Sequence, residues 1–98
     1  MTRQQRIERL KQIARERILI LDGSWGVMIQ RRGLTEEDFC GERFADHPVQ
    51  MKGNNDILCL TRPDIVTDLH DAYYGAGADI SETNTFSATT IAQRDYHA

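Results

Sequence analysis

The chain has 98 residues, 40% of them hydrophobic and 28% charged, a composition suited to a folded globular domain rather than a disordered segment. Lys and Arg number 12 against 15 Asp and Glu, leaving a net charge of −3. That length holds one small domain burying about two-thirds of its unfolded surface, and excludes a complete (β/α)8 barrel, which takes about 200 residues or more.

Thr2-Arg3-Gln4-Gln5 has the spacing of a capping box, so a helix is predicted to begin near Arg3, with Ile7, Leu10, Ile13 and Ala14 on its apolar face. Ile18-Leu19-Ile20-Leu21, stopped by Asp22-Gly23, reads as a short strand buried on both faces. Val27 to Arg32 suits a short helix, and Thr35-Glu36-Glu37-Asp38 looks like the start of another. Cys40 to Asp56, with Gly41, Pro48 and Gly53-Asn54-Asn55-Asp56, reads as an ordered loop, and Ile57 to Leu60 is too short to assign. Next comes a strong helix signal: Thr61 as N-cap, Pro63 in the first turn, an apolar face of Ile65, Val66, Leu69, Ala72, Tyr73 and Ala76, and Gly77 to end it. Ala78 to Thr83 is predicted as a second strand, and Ser87 as the cap of a last helix from Ala88 onward. Such alternation implies a right-handed βαβ unit with parallel strands.

Charge divides the chain at its first helix. Residues 1–17 carry six basic and two acidic side chains, and residues 18–98 carry six and thirteen. The basic residues alternate with Gln and Glu and have no aromatic residue among them, which is the pattern of a solvated helix face, and the acidic remainder argues against nucleic acid as a partner. There is no apolar run long enough to span a membrane and no signal-peptide core, so no membrane contact is expected and the chain reads as cytoplasmic. Cys40 and Cys59 are then expected as free thiols, Cys59 as a small core residue. Cys40, His47, Cys59 and His70 lie 7, 12 and 11 positions apart, matching no ordinary zinc spacing.

In parallel α/β folds, ligands bind where strands end at their carboxyl side. Two segments meet that condition. Asp22-Gly23-Ser24-Trp25-Gly26 offers a carboxylate that can hold an ammonium, beside glycines that let successive N–H groups turn toward an anion. That pairing suits an α-amino acid, although an aspartate that merely caps a turn explains the same spacing. Glu82-Thr83-Asn84-Thr85-Phe86 offers hydroxyls and an amide that either orient a ligand or satisfy loop backbone.

The segments Asp22-Gly23-x-x-Gly26-x-Met28-Ile29-Gln30, Leu34-Thr35-Glu36-Glu37-Asp38-Phe39-x-Gly41-Glu42-Arg43-Phe44, Lys52-Gly53-Asn54-Asn55-Asp56 and Gly75-x-Gly77-Ala78-Asp79-Ile80-x-Glu82-Thr83-Asn84-Thr85-Phe86 together resemble the start of the homocysteine-binding module of the cobalamin-dependent methionine synthases. The resemblance implies an α/β fold in which residues 18–98 form the first βα units of a (β/α)8 TIM barrel, incomplete in this chain, preceded by an amphipathic helix over residues 1–17. It implies transfer of a methyl group from methylcobalamin to homocysteine, forming methionine. By position, Asp22 would hold the substrate ammonium, the backbone at Gly23, Ser24 and Trp25 its carboxylate, and Thr83 and Asn84 would line the same pocket.

Zinc and cobalamin are the cofactors implied, with ligands outside these residues, so none is expected on this segment and no metal ligand or catalytic residue is assigned within it. The expected partners are homocysteine and the remainder of a methionine synthase chain with its folate and cobalamin domains, and the 98 residues alone are expected to be inactive. A non-catalytic amino-acid-binding or partner-docking piece of a split or truncated homocysteine S-methyltransferase stands as the alternative. Four positions depart from the family pattern: Ser24 and Trp25, where a small residue or Met is usual, Val27, where Thr is usual, and Ser81, where an aliphatic is usual. A buried Ser81 hydroxyl would cost about 1–3 kcal/mol if it found no partner.

Overall fold

The computed structural model describes residues 1–98. Six helices run in chain order: α1 Arg3–Glu16, α2 Gly26–Gln30, α3 Glu36–Cys40, α4 Leu58–Thr61, α5 Pro63–Gly75 and α6 Thr90–Gln93. A 3-10 turn, Asn55–Ile57, leads into α4, and another, Arg94–Tyr96, follows α6.

The capping box at the start of α1 forms as the sequence specifies. Gln5 N–H donates to Thr2 Oγ1 at 3.1 Å, and Thr2 N–H donates to Gln5 Oε1 at 2.8 Å. Its apolar face, by contrast, covers nothing: α1 contains no buried residue. At α3, Asp38 accepts from Thr35 N–H at 2.9 Å, closing the first turn.

Two cap assignments are corrected. Thr61 does not cap α5, because it belongs to the last turn of α4 and its hydroxyl donates back to Ile57 O at 3.3 Å. Arg62 takes the cap position instead. Its guanidinium binds both oxygens of Asp64, at 3.0 and 2.9 Å, and also Asp38, linking α3 to α5. Thr89 rather than Ser87 caps α6, accepting from Ala92 N–H at 3.1 Å. Gly77 does adopt the expected positive φ, at 110°, two residues beyond the end of α5.

Seven apolar side chains form the core: Ile29, Phe39, Met51, Ile57, Leu58, Ile65 and Leu69. They come from α2, α3, α4, α5 and the loop between α3 and α4, so the core is a helical cluster. Glu36 fastens that loop, accepting from Met51 N–H at 2.5 Å and Lys52 N–H at 2.6 Å. Cys59, expected inside, is exposed.

Neither predicted strand forms as a named element. Segments 18–21 and 78–83 do run parallel, but they pair through a single bridge between Leu21 and Ile80. Ile80 N–H donates to Ile20 O at 3.1 Å and Asp22 N–H donates to Ile80 O at 2.9 Å, the alternation of a parallel ladder. Each segment has one neighbour and an open outer edge, so the ladder has nothing to propagate into. The expectation of burial on both faces fails for the same reason: Ile18 is 85% exposed and Ile20 54%. The two segments make one parallel bridge, and no barrel is formed by them. No helix is long and apolar enough to cross a membrane.

The molecule is elongated. Its radius of gyration is 16.5 Å, against about 13 Å for a compact chain of this length, and its extents are 51 × 26 × 20 Å.

Candidate functional site

The Leu21–Ile80 bridge sets Asp22, at the end of the first extended segment, beside Ser81 and Glu82 in the second. Three donors converge on one oxygen of Asp22. Oδ2 accepts from Ser81 Oγ at 2.8 Å, from the Glu82 backbone N–H at 3.0 Å and from Trp25 Nε1 at 3.0 Å. Oδ1 accepts from no protein group. Partial burial pushes this carboxyl's pKa up, but the bonds from Trp25, Ser81 and Glu82, with a smaller contribution from His70, outweigh it and hold the group below its ordinary value. Asp22 is therefore a carboxylate at neutral pH, available to pair with a cation.

Helix α5 supports this corner from below. His70 Nδ1 lies 2.6 Å from Ser81 Oγ, and the His70 and Trp25 rings meet edge to face at 4.6 Å. One turn along, the Tyr73 hydroxyl donates to Ser24 O. A Cβ on Gly23 would meet Tyr73 Oη at 3.2 Å and Cε1 at 3.3 Å. Gly23 thus packs closely on Tyr73, whose ring would have to give by a few tenths of an ångström to admit a Cβ. Neither Gly23 nor Gly26 has positive φ, and a Cβ on Gly26 would meet open space.

The backbone N–H groups of Gly23, Ser24 and Trp25 donate to no protein acceptor, while the Ser24 hydroxyl accepts from Val27 N–H at 3.3 Å at the start of α2. Three consecutive backbone donors next to the Asp22 carboxylate are thus left without a protein acceptor.

Gly23 and Trp25 also form one wall of a cleft of about 450 Å³. Its opposite walls are the Gly53–Asp56 loop and the segment from Glu82 to Ser87, so Thr83 and Asn84 line it too. Asp22 and Ser24 stand outside the lining residues. Thr83 Oγ1 bonds Thr85 Oγ1 at 2.6 Å and remains exposed. Asn84 is buried and its amide donates to Asn55 O at 2.8 Å, so it holds the wall of the cleft in place. Asn54 does similar work through a reciprocal amide pair with Gln93, at 2.8 and 2.9 Å.

Sequence reasoning missed His70, Tyr73 and Ser81 as parts of this corner. The signal for the first two was their separation by three on one helix, which puts them on one face. For Ser81 it was the period of two with Asp79, whereas Ile80 and Glu82 face outward and are exposed. The Ser81 hydroxyl, expected to be costly only if it found no partner, is fully partnered.

No three His, Cys, Asp or Glu side chains converge to hold a metal ion. Cys40 Sγ lies 3.1 Å from Glu36 Oε1 and Cys59 Sγ lies 3.6 Å from Asn84 O, far apart in role as well as in sequence. The residues present do not by themselves fit a three-thiolate zinc site.

Residues 19–98 match the family model described as homocysteine S-methyltransferase.

Proposed function

The chain belongs to the homocysteine S-methyltransferase family, and from that premise we propose that its Asp22 corner holds the amino-acid end of homocysteine while the sulfur is methylated. The family is one of methyltransferases acting on homocysteine. One observation carries the assignment to this corner. A carboxylate with Oδ1 free adjoins three consecutive backbone N–H groups, at Gly23, Ser24 and Trp25, that donate to no protein acceptor. Asp22 would take the substrate ammonium and the N–H groups its carboxylate, leaving the side chain to extend along the cleft past Thr83 and Asn84.

We further assign the methyl donor as methylcobalamin and the whole enzyme as a methionine synthase working in the cytoplasm. The support is the sequence of the Leu34–Phe44 and Lys52–Asp56 segments, which carry the resemblance. They are also structurally engaged, through Glu36 on the loop and Asn54 to Asp56 at the cleft. Activation of the thiol is assigned to no residue of this chain. The role assigned to these residues is to bind and orient the amino acid.

Calorimetric titration of homocysteine into the chain tests the reading. Asp22→Asn keeps the shape and removes the charge, so affinity should fall about ten- to a hundredfold, the loss of one charge-assisted hydrogen bond. Unchanged affinity with a lowered melting temperature would make Asp22 a turn residue and remove the assignment.

A further inference from the structure

Ser81 has one hydroxyl proton and two neighbours that compete for it. Its Oγ lies 2.8 Å from Asp22 Oδ2 and 2.6 Å from His70 Nδ1. Asp22 is ionised and can only accept. If Ser81 gave its proton to His70, two oxygen lone pairs would face each other at 2.8 Å. The arrangement is satisfied in one direction only: His70 Nδ1–H donates to Ser81, and Ser81 O–H donates to Asp22. The Glu82 carbonyl, 3.5 Å from Ser81 Oγ, is too distant to divert the proton. Each member comes from a different part of the fold, His70 from α5, Ser81 from the second extended segment and Asp22 from the end of the first.

We propose that Ser81 is a positioning residue for amino-acid recognition: passing a hydrogen bond from His70 Nδ1 to Asp22 Oδ2, it locks the carboxylate so that Oδ1 alone faces the ammonium of the substrate. The inference rests on the reading of Asp22 as the ammonium anchor. Trp25 Nε1 and Glu82 N–H complete the lock on Oδ2, and the edge of Trp25 against His70 fixes the imidazole plane. With Oδ2 bonded three times, the carboxylate cannot exchange its two oxygens without breaking all three bonds. Ser81 is therefore a determinant of specificity for ligands that carry an amino group.

The test compares homocysteine with 4-mercaptobutanoate, the same molecule without its amino group, as ligands of the 98-residue chain. The ratio of the two affinities reads ammonium recognition and cancels any general loosening of the cleft. Ser81→Ala should lower that ratio about tenfold, the loss of one hydrogen bond to a charged group, and Ser81→Thr, which keeps the hydroxyl, should restore most of it. Nitrogen NMR of the unaltered chain should show His70 protonated at Nδ1, a readout that holds even where Ser81→Ala fails to fold. A His70 bearing its proton only on Nε2 overturns the proposal. So does a ratio lost in Asp22→Asn yet intact in Ser81→Ala, which leaves the reading of Asp22 standing. No preference for homocysteine in the unaltered chain overturns that reading, and this inference with it.

Discussion

Arg17 grips both carboxylate oxygens of Asp79 across 62 positions of sequence, with Nη1–Oδ2 at 2.7 Å and Nη2–Oδ1 at 2.5 Å. Asp79 Oδ2 also accepts from Ile20 N–H at 2.9 Å, so one side chain clamps the end of α1 and the first extended segment to the second. The clamp lies one residue before the Leu21–Ile80 bridge and hence sets the register that brings Ser81 to Asp22.

The clamp predicts an acid-sensitive stability. The Arg17 hydrogen bonds, then the Ile20 N–H, hold the Asp79 carboxyl down at about 2. The unfolded chain, with an Asp pKa of about 3.9, binds the proton more readily, so stability falls as pH falls through that window. The contribution should be whole above pH of about 4 and gone below about 2. Melting curves of the unaltered chain and Asp79→Asn should differ by a constant amount at neutral pH and converge on acidification. Comparing the pair cancels the other lowered carboxyls, Asp22, Glu36, Asp38 and Asp64, which titrate in the same direction. A gap that persists to the lowest pH would dismiss the clamp as a source of stability.

Gly23→Ala should shift Tyr73 and weaken its bond to Ser24 O, at a cost of about 1 kcal/mol or less. In a Tyr73→Phe background that bond is already lost, so the second substitution should cost less than in the unaltered chain. A double-mutant cycle by urea denaturation measures the coupling, and strict additivity would refute contact between the two residues.

Leu58→Ala should cost about 2–5 kcal/mol, because the side chain is fully buried among the seven core residues. Leu10→Ala, on the projecting α1, should change stability by about 0.5 kcal/mol or less. Similar losses at both positions would show that α1 is packed in solution.

Glu36→Gln should loosen the loop more than it unfolds the chain. The carboxylate accepts from Met51 N–H, Lys52 N–H and Cys40, and a neutral amide weakens the backbone pair by about 1–2 kcal/mol. Hydrogen exchange at Met51 and Lys52 should accelerate well beyond that within α5. Uniform acceleration would point to a global effect.

Local signals in the sequence are accurate where a few neighbouring residues settle the outcome. Thr2 and Gln5 cap α1 within one turn, Pro63 fits the first turn of α5, and Gly77 takes positive φ. The signals that fail depend on distant partners. Ile18 to Leu21 have the composition of a doubly covered strand, but only one neighbouring segment meets them, and Ile18, Ile20 and Leu21 stay in solvent. Thr61 and Ser87 have the right residue types for caps, and lose those positions to Arg62 and Thr89 because the preceding turns end one or two residues later. The Asp22–Trp25 and Thr83–Asn84 segments are legible in the sequence, but not the His70–Ser81 link behind them, since it joins a helix face to a strand face and shows in neither pattern alone.

The open edge of the Leu21–Ile80 pair gives the run Ile18-Leu19-Ile20-Leu21 a second character. Four uncharged aliphatics beside unpaired backbone groups are a template for another strand, such as that of a second molecule in a growing aggregate. The charges that discourage the aggregate are Arg17 at one end and Asp22 at the other, placed like gatekeepers around the run. Both are already engaged, Arg17 with Asp79 and Asp22 with Trp25, Ser81 and Glu82. The residues that organise the site therefore also govern solubility, and a substitution that silences either charge trades recognition and colloidal stability together.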